Sequence, residues 1–573
     1  MRGYTSSGGA PASPWTVGAL GGALLGTSLL VQPGLAAAAE CSALSRLHLA
    51  EVTSIRAEAV AAKAFTPPPA FPGLRPGRPV AMPFCRVRLT VAPQIHIEVW
   101  LPPAGSWNHR FEAVGGGGFA GTISYAALAT ALTGNAVTGH FATASTDTGH
   151  PASGTENGQG GANGAQAGGG FALEPATHRL NRGLIVDFAS RSLHQMTEKA
   201  KALIDAYYGA PVKFSYWNGC STGGRQGLME AQRFPGDYNG ILAGAPAINW
   251  DRFVPASLWP AVAMQLVAHH AIAPEKLQAA TAAAIKACDA LDGVTDGVIS
   301  DPRRCRFDPR TLQCGAAGAA RDHTCLAADE ATALREIWQG ARGPRGAFLW
   351  YGLEPGTPLA AMAGRAPFPI SLDYWRLWIE RSPAFDWHTL TDATFAAGIR
   401  ESQEKFHDVI ATDSADLSAF RAHGGKLLTY HGWSDPLIFP RGSIQYFERV
   451  LAANGGAKRV GEFYRLFMVP GMSHCFGGAG AVNFGQSGLV PAEPDPEHDA
   501  LIALERWVES GIAPQALIAS TDPQPLHARE DPTHSAAFSR PLCPYPQTAV
   551  YDGHGNPDIA ASFRCADASA GRR

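Results

Sequence analysis

Phe214-Ser-Tyr-Trp-Asn-Gly-Cys-Ser-Thr-Gly-Gly-Arg-Gln-Gly-Leu228 is the stretch that decides how this chain is read. The run from Phe214 to Trp217 is β-prone. Gly219-Cys220-Ser221-Thr222-Gly223 then fits G-x-S-x-G, the turn that presents a serine hydroxyl at the top of a strand just ahead of a helix. Such a turn strains the serine backbone, and glycines on either side let neighbouring chain approach without a Cβ clash. Gly224 to Arg233 is compatible with a helix, which would put Ser221 at a helix N-terminus, where an oxyanion is favoured. An ordinary glycine turn produces the same five residues by chance, so the surrounding chain has to decide.

Upstream, Val87 to Leu101 alternates like a pair of antiparallel strands. Arg110 to Val114 is another β-like run and opens into Gly115-Gly-Gly-Gly-Phe-Ala-Gly121. That loop is suited either to bringing backbone N–H groups near a substrate oxygen or to a plain flexible turn. No Lys-Ser/Thr follows it, which argues against a phosphate cradle. Phe141 to Asp147 reads as a further strand edge, and Ser153 to Gly170 as a Gly/Asn/Gln-rich surface excursion. His194 to Tyr208 is helical in character and leads into the serine strand, the α-then-β order of a parallel α/β sheet.

Downstream of Ala243 to Trp250 the character changes. Residues 251–405 are rich in Ala, Pro and aromatics and carry four of the ten cysteines. Sheet-like runs return at Lys426 to Gly432 and at Tyr464 to Pro470. The interval from Ser221 to Asp435 is roughly seven times the ~30 residues of a strand-helix-strand unit. An inserted domain is therefore expected at 251–405, acting as a lid on a core formed by 40–250 and 406–573. Phe368, Tyr374, Trp375, Trp378, Phe385 and Trp387 lie in it. Their helical spacing makes most of them core, with one or two left to line a pocket.

Composition bounds the rest. The 573 residues are 46% hydrophobic and 17% charged with a net charge of −3, a globular chain long enough for several domains. No Lys/Arg stripe is present, so a nucleic-acid partner is not expected. Residues 1–39 read as an export signal: Arg2, an apolar Gly- and Ala-rich run from Val17 to Val31, and small residues up to Glu40. A membrane anchor fits less well, because the run is short and Pro33 follows it. With no later apolar span, no membrane association is expected after signal removal. A secreted or periplasmic location is expected, and the even cysteine count suits that oxidising compartment. Zinc is the competing use of Cys288 to Cys325, but no C-x₂-C pair occurs there.

Nucleophilic serine needs a base to take its proton and an acid to orient that base. Asp435 follows the strand-like run 426–432, and His474 follows 464–470. The order Ser221, Asp435, His474 is that of an α/β-hydrolase, and all three fall past the C-terminal ends of expected strands. Singly, Asp435 is equally a turn former before Pro436, and His474 equally a loop histidine among 19. Together the bland explanations need three coincidences in the right order. A separate stretch, Asp289-Ala-Leu-Asp-Gly-Val-Thr-Asp-Gly-Val298, places three carboxylates within eight positions. It suits a hard cation, though without EF-hand spacing, and an acidic surface turn is the alternative.

Gly219 to Leu228, Ala243-Gly-Ala-Pro246, His431-Gly-Trp-Ser-Asp435 and Gly471-Met-Ser-His-Cys475 together resemble the tannase/feruloyl esterase family, which includes the hydrolase of mono(hydroxyethyl) terephthalate. The likeness runs from about Cys41 to Cys565. It implies an α/β-hydrolase core and a disulfide between the cysteines flanking the catalytic serine and histidine, here Cys220 and Cys475. It further implies the pairs Cys41–Cys85, Cys288–Cys305, Cys314–Cys325 and Cys543–Cys565. The Thr222 N–H, with that of Gly117 or Gly118, would form the oxyanion hole. Calcium would be held, in a structural role remote from the chemistry, by the side chains of Asp289, Asp292 and Asp296 and the carbonyls of Val294 and Val298. The implied substrates are small esters of aromatic acids: feruloyl, galloyl or terephthalate monoester. A serine peptidase or acyltransferase on the same core stays open, as does a secreted binding protein that lost catalysis. Nothing in the sequence sets an oligomeric state.

Overall fold

The computed structural model describes residues 40–69, 77–135, 137–150, 168–316, 322–491, 493–521 and 537–567. The expected export signal and most of the Ser153 to Gly170 excursion lie outside these. Nine strands form one sheet: β1 (Val52–Val60), β2 (Phe84–Val91), β3 (Ile95–Leu101), β4 (Trp107–Val114), β5 (His140–Thr146), β6 (Phe214–Cys220), β7 (Gly240–Gly244), β8 (Lys426–Gly432) and β9 (Tyr464–Val469). Their order is β1-β2-β3-β5-β4-β6-β7-β8-β9. Pairing is antiparallel from β1 to β5 and parallel from β5 to β9.

The sequence explains that split. Antiparallel strands join by tight turns, as β2 and β3 do, whereas parallel strands need a crossover. The helix Ser192–Tyr208 supplies the crossover into β6, and Thr222–Arg233 the one from β6 to β7. β5 is not an edge: its Ala, Thr and Ser side chains are buried between β3 and β4, which small residues tolerate on both faces. Val87, Leu89, Val99, Phe111, Trp217, Ile241, Leu427 and Leu466 belong to one apolar core, and Tyr216, Leu242, Leu428 and Phe467 to another.

Between β7 and β8 the chain is helical, from Trp250–Ala256 to Asp392–Ile410, and none of its described residues joins the main sheet. This stretch has its own apolar cluster, which also takes in Phe119, Phe188 and Ala189 from earlier in the chain. Tyr374, Trp375 and Trp378 are buried there on a π-helical turn, while Phe368, Phe385 and Trp387 pack against it half-buried. No helix among the described residues is long and apolar enough to cross a membrane.

Candidate active site

β6 ends at Cys220 and the helix Thr222–Arg233 starts one residue later, leaving Ser221 alone at the turn. Its φ of 66° and ψ of −123° put a non-glycine residue in a strained region. The turn is possible because glycines meet glycines. A Cβ on Gly219 would stand 2.7 Å from the carbonyl carbon of Gly223, and one on Gly115 2.5 Å from the Gly223 Cα. The loop after β4 therefore lies directly on the Ser221 turn.

That loop is pinned at several points. The Gly115 N–H donates to the Asn218 carbonyl (2.9 Å) and the Gly116 N–H to Gln226 Oε1 (2.9 Å). The Thr222 hydroxyl donates to the Gly118 carbonyl at 2.5 Å. Among the described residues the N–H groups of Gly117, Gly118 and Thr222 have no acceptor. Gly117 is exposed, and Gly118 has a φ of +56° that favours glycine. Ile370, from the segment between β7 and β8, comes within 3.6 Å of where a Gly118 Cβ would sit. Phe119 stacks on Trp378 of that segment, with ring centroids 6.0 Å apart.

Asp435 lies three residues past β8, fully buried. Its Oδ1 accepts from the N–H groups of Leu437 (2.8 Å) and Ile438 (3.0 Å). Its Oδ2 is 2.8 Å from His474 Nδ1 and 3.3 Å from His431 Nε2. Burial alone would push this carboxyl up. The charge of His474 and hydrogen bonds from both imidazoles outweigh it and hold the group well below the ordinary carboxylate range. Nδ1 of His474 is thus committed to Asp435, which leaves Nε2 for other chemistry.

The His474 loop is built to fold back. Gly471, Gly477 and Gly478 all have positive φ, Met472 bridges Gly478, and Ser473 N–H donates to the Gly477 carbonyl. Cys220 and Cys475 are disulfide-bonded with Cα atoms 5.9 Å apart, tying the residue before Ser221 to the residue after His474. Among the described residues the Ser221 hydroxyl makes no hydrogen bond of its own. The other four disulfides are Cys41–Cys85, Cys288–Cys305, Cys314–Cys325 and Cys543–Cys565, the pairs the family resemblance implies. No cysteine is free.

The loop Asp289 to Val298 is wound around its own carboxylates. Asp289 accepts from the N–H groups of Asp296 and Gly297, Asp292 from Val294, and Asp296 from Val298. Arg540 is the cation paired with Asp296. Burial first, then the neighbouring Asp292 and Asp289, push the Asp296 carboxyl up against that pairing. One guanidinium beside three carboxylates leaves a hard, oxygen-rich donor set in excess of its counter-charge, which is chemistry a calcium ion fits. The carboxylate oxygens of the three are not all within 4.8 Å of one another; among the described residues Glu493, Asp495 and His498, on the surface, meet that measure. Val298 Cγ1 stands 3.1 Å from where a Gly471 Cβ would be, so this loop packs on the start of the histidine loop.

Three residues to which sequence reasoning assigned no role stand out: Gln226 on the glycine loop, His431 on Asp435, and Arg225. Arg225 is fully buried and donates to the carbonyls of Phe188 and Ala189. All three lie inside the quoted motifs, but only tertiary contacts reveal what they touch.

A family model described as tannase and feruloyl esterase matches residues 80–566. An uncharacterized esterase of Xanthomonas campestris pv. campestris is 37% identical over 590 residues, 96% of this chain and 94% of that protein. A probable feruloyl esterase of Arthroderma benhamiae is 35% identical over 503 residues, 84% of this chain and 85% of that protein. The crystal structure of feruloyl esterase B from Aspergillus oryzae is 29% identical, with a TM-score of 0.75 over 92% of this chain and 99% of that one.

Proposed function

The chain belongs to the tannase and feruloyl esterase family and is a carboxylic-ester hydrolase, and on that premise we propose that it cleaves small esters of aromatic acids through an acyl-enzyme on Ser221. In this reaction Ser221 Oγ attacks the acyl carbon while His474 Nε2 takes its proton. Asp435 fixes the ring by accepting from Nδ1 and balances the imidazolium that forms. The oxyanion is received by the N–H of Thr222, at the start of a helix, and by that of Gly117 or Gly118. His474 then gives its proton to the leaving alkoxide and activates water for deacylation.

The observation that carries this mechanism is the pairing of His474 Nδ1 with buried Asp435, at 2.8 Å, on a loop disulfide-bonded to the strained Ser221 turn. The feruloyl esterase relatives support an aromatic acyl group. The approach of Ile370 to Gly118 supports a role for residues 251–405 as a lid over the acyl side. Five disulfides using all ten cysteines support a secreted or periplasmic location. Calcium, held by Asp289, Asp292, Asp296 and the carbonyls of Val294 and Val298, would neutralise the loop and stiffen it; it takes no part in the chemistry. The test is product analysis on methyl ferulate, methyl gallate and a terephthalate monoester, with Ser221→Ala as the blank. Release of none of the three acids, or release that survives Ser221→Ala, overturns the proposal.

A further inference from the structure

Asp435 carries two imidazoles on one oxygen, and the mechanism above uses only one of them. His431 is the next-to-last residue of β8 and is fully buried. Its Nε2 lies 3.1 Å from the Ile438 carbonyl and 3.3 Å from Asp435 Oδ2. A carbonyl only accepts, so Nε2 carries the hydrogen, shared between these two oxygens. Its Nδ1 lies 2.8 Å from the hydroxyl of Ser443, itself buried on the helix Pro440–Ala453. With Nε2 protonated, Nδ1 is free to accept from that hydroxyl.

Count the donors on Asp435. Two backbone N–H groups meet Oδ1, and the imidazoles of His474 and His431 meet Oδ2. A carboxylate has about four lone-pair sites, so this one is full and has no freedom to rotate. The titratable side chains acting on it are these two imidazoles. Arg303, from the segment between β7 and β8, touches the same loop through the Trp433 ring at 5.2 Å and is paired with Asp301.

We propose that His431 is a positioning residue for the esterase reaction, whose Nε2–H fixes Asp435 and draws off part of the negative charge that Asp435 would otherwise present to His474. The consequence is that His474 Nδ1 meets a carboxylate that is held still and already shares its charge with a second donor. This rests on the assignment of Ser221, Asp435 and His474 as the catalytic triad. Removing the His431 N–H leaves more of the Asp435 charge on His474, which raises the affinity of His474 for its proton.

The experiment is the pH profile of kcat/KM on p-nitrophenyl acetate, whose acid limb reports the free enzyme's base. His431→Leu should move that limb up by about half to one pH unit and lower kcat by roughly tenfold. His431→Gln, which retains an N–H donor, should bring the limb back towards the parent and recover most of kcat. A merely structural role would lower folded yield or kcat without moving the limb. A folded His431→Leu variant with the parent's acid limb overturns the proposal. If His431→Leu does not fold, Ser443→Ala decides. It weakens the Nε2–H donor through the ring and should shift the limb upward by a smaller amount; no shift overturns the proposal. Ser221→Ala on the same substrate tests the triad separately, since turnover surviving there refutes the triad and not the role of His431.

Discussion

Replacing both Cys220 and Cys475 by alanine should cost far more activity than stability. β6 and β9 are three places apart in the sheet. At ~4.8 Å per place that is about 14 Å. The Cα atoms of Cys220 and Cys475 are nevertheless 5.9 Å apart, so the histidine loop folds back across β8 and β7 by something like 8 Å. Hydrogen bonds within the loop shape it, but the disulfide is what joins it to the serine turn. Its ends are 255 residues apart, for which chain entropy alone gives about 5.5 kcal/mol, an upper figure for the stability lost. Misplacing a catalytic group by about 1 Å costs roughly a hundredfold in rate.

The control is the double alanine variant of Cys41 and Cys85, which closes a 44-residue loop on the antiparallel side of the sheet. The same chain-entropy relation gives it about 4 kcal/mol, so the two variants should lose comparable thermal stability. Turnover per folded molecule separates them. The Cys41/Cys85 variant should keep the parent's kcat, and the Cys220/Cys475 variant should lose at least about thirtyfold. Equal kcat per folded molecule in the two would refute the argument that this disulfide positions His474.

Ser221→Ala and His474→Ala should each lower kcat by several orders of magnitude with an unchanged thermal midpoint, and Asp435→Asn should be severely impaired through the tautomer of His474; near-parent rates in a folded variant would remove the triad. Chelation should lower the thermal midpoint and calcium restore it, by up to ~2.7 kcal/mol at a hundredfold excess over Kd. Metal analysis finding none bound, with Asp292→Ala as stable as the parent, would contradict a calcium site. Burial pushes Glu112 up to about 7, Asp499 to about 6 and Glu505 to about 8. These carboxyls hold protons that the unfolded chain releases near pH 4, so their contribution is complete below that and fades as pH rises to about 8. Glu112→Gln should flatten this decline by about 3 kcal/mol at pH 8, read from urea midpoints across pH 5 to 8; curves that stay parallel would refute it.

The parts of the fold that were legible in the sequence are those with a local cause. β2, β3, β6, β8 and β9 announce themselves by alternation or by an apolar run ending in a glycine turn. β7 did not: Gly240-Ile-Leu-Ala-Gly244 is five residues, all buried, too short for a period to emerge. β1 escaped because it is an edge strand with a largely exposed, mixed Arg/Ala/Glu pattern. At the site, Ser221, Asp435 and His474 could each be named because each follows a strand-like run. The choice among Gly115 to Gly118 could not. The family resemblance pointed to Gly117 or Gly118, and the structure agrees to the extent that the N–H groups of Gly115 and Gly116 are taken by Asn218 and Gln226. His431 was in plain view within its motif. Its relation to Asp435 depends on the turn at Gly432 to Asp435 returning the chain to the same oxygen, which no periodicity encodes.

The three loops of the site differ in how much the sheet does for them. Ser221 directly follows β6 and Asp435 sits three residues past β8, so their strands nearly fix them. His474 is five residues past β9 and points back over its neighbours. The packing on its loop reflects that need. Ser434 N–H donates to the Met472 carbonyl at 3.0 Å, and a Cβ on Gly432 would stand 2.3 Å from the same oxygen. Cys475 is crosslinked to Cys220, and Val298 presses on Gly471. The acidic loop that ends in Val298 is in turn held by Arg540, and Arg303 beyond it lies over Trp433 on the aspartate loop. A change in Asp289 to Val298 would therefore reach the His474 loop through the packing of Val298 on Gly471. On the proposed mechanism, residues outside the triad join Asp435 in setting the position of His474, the member that the sheet leaves free.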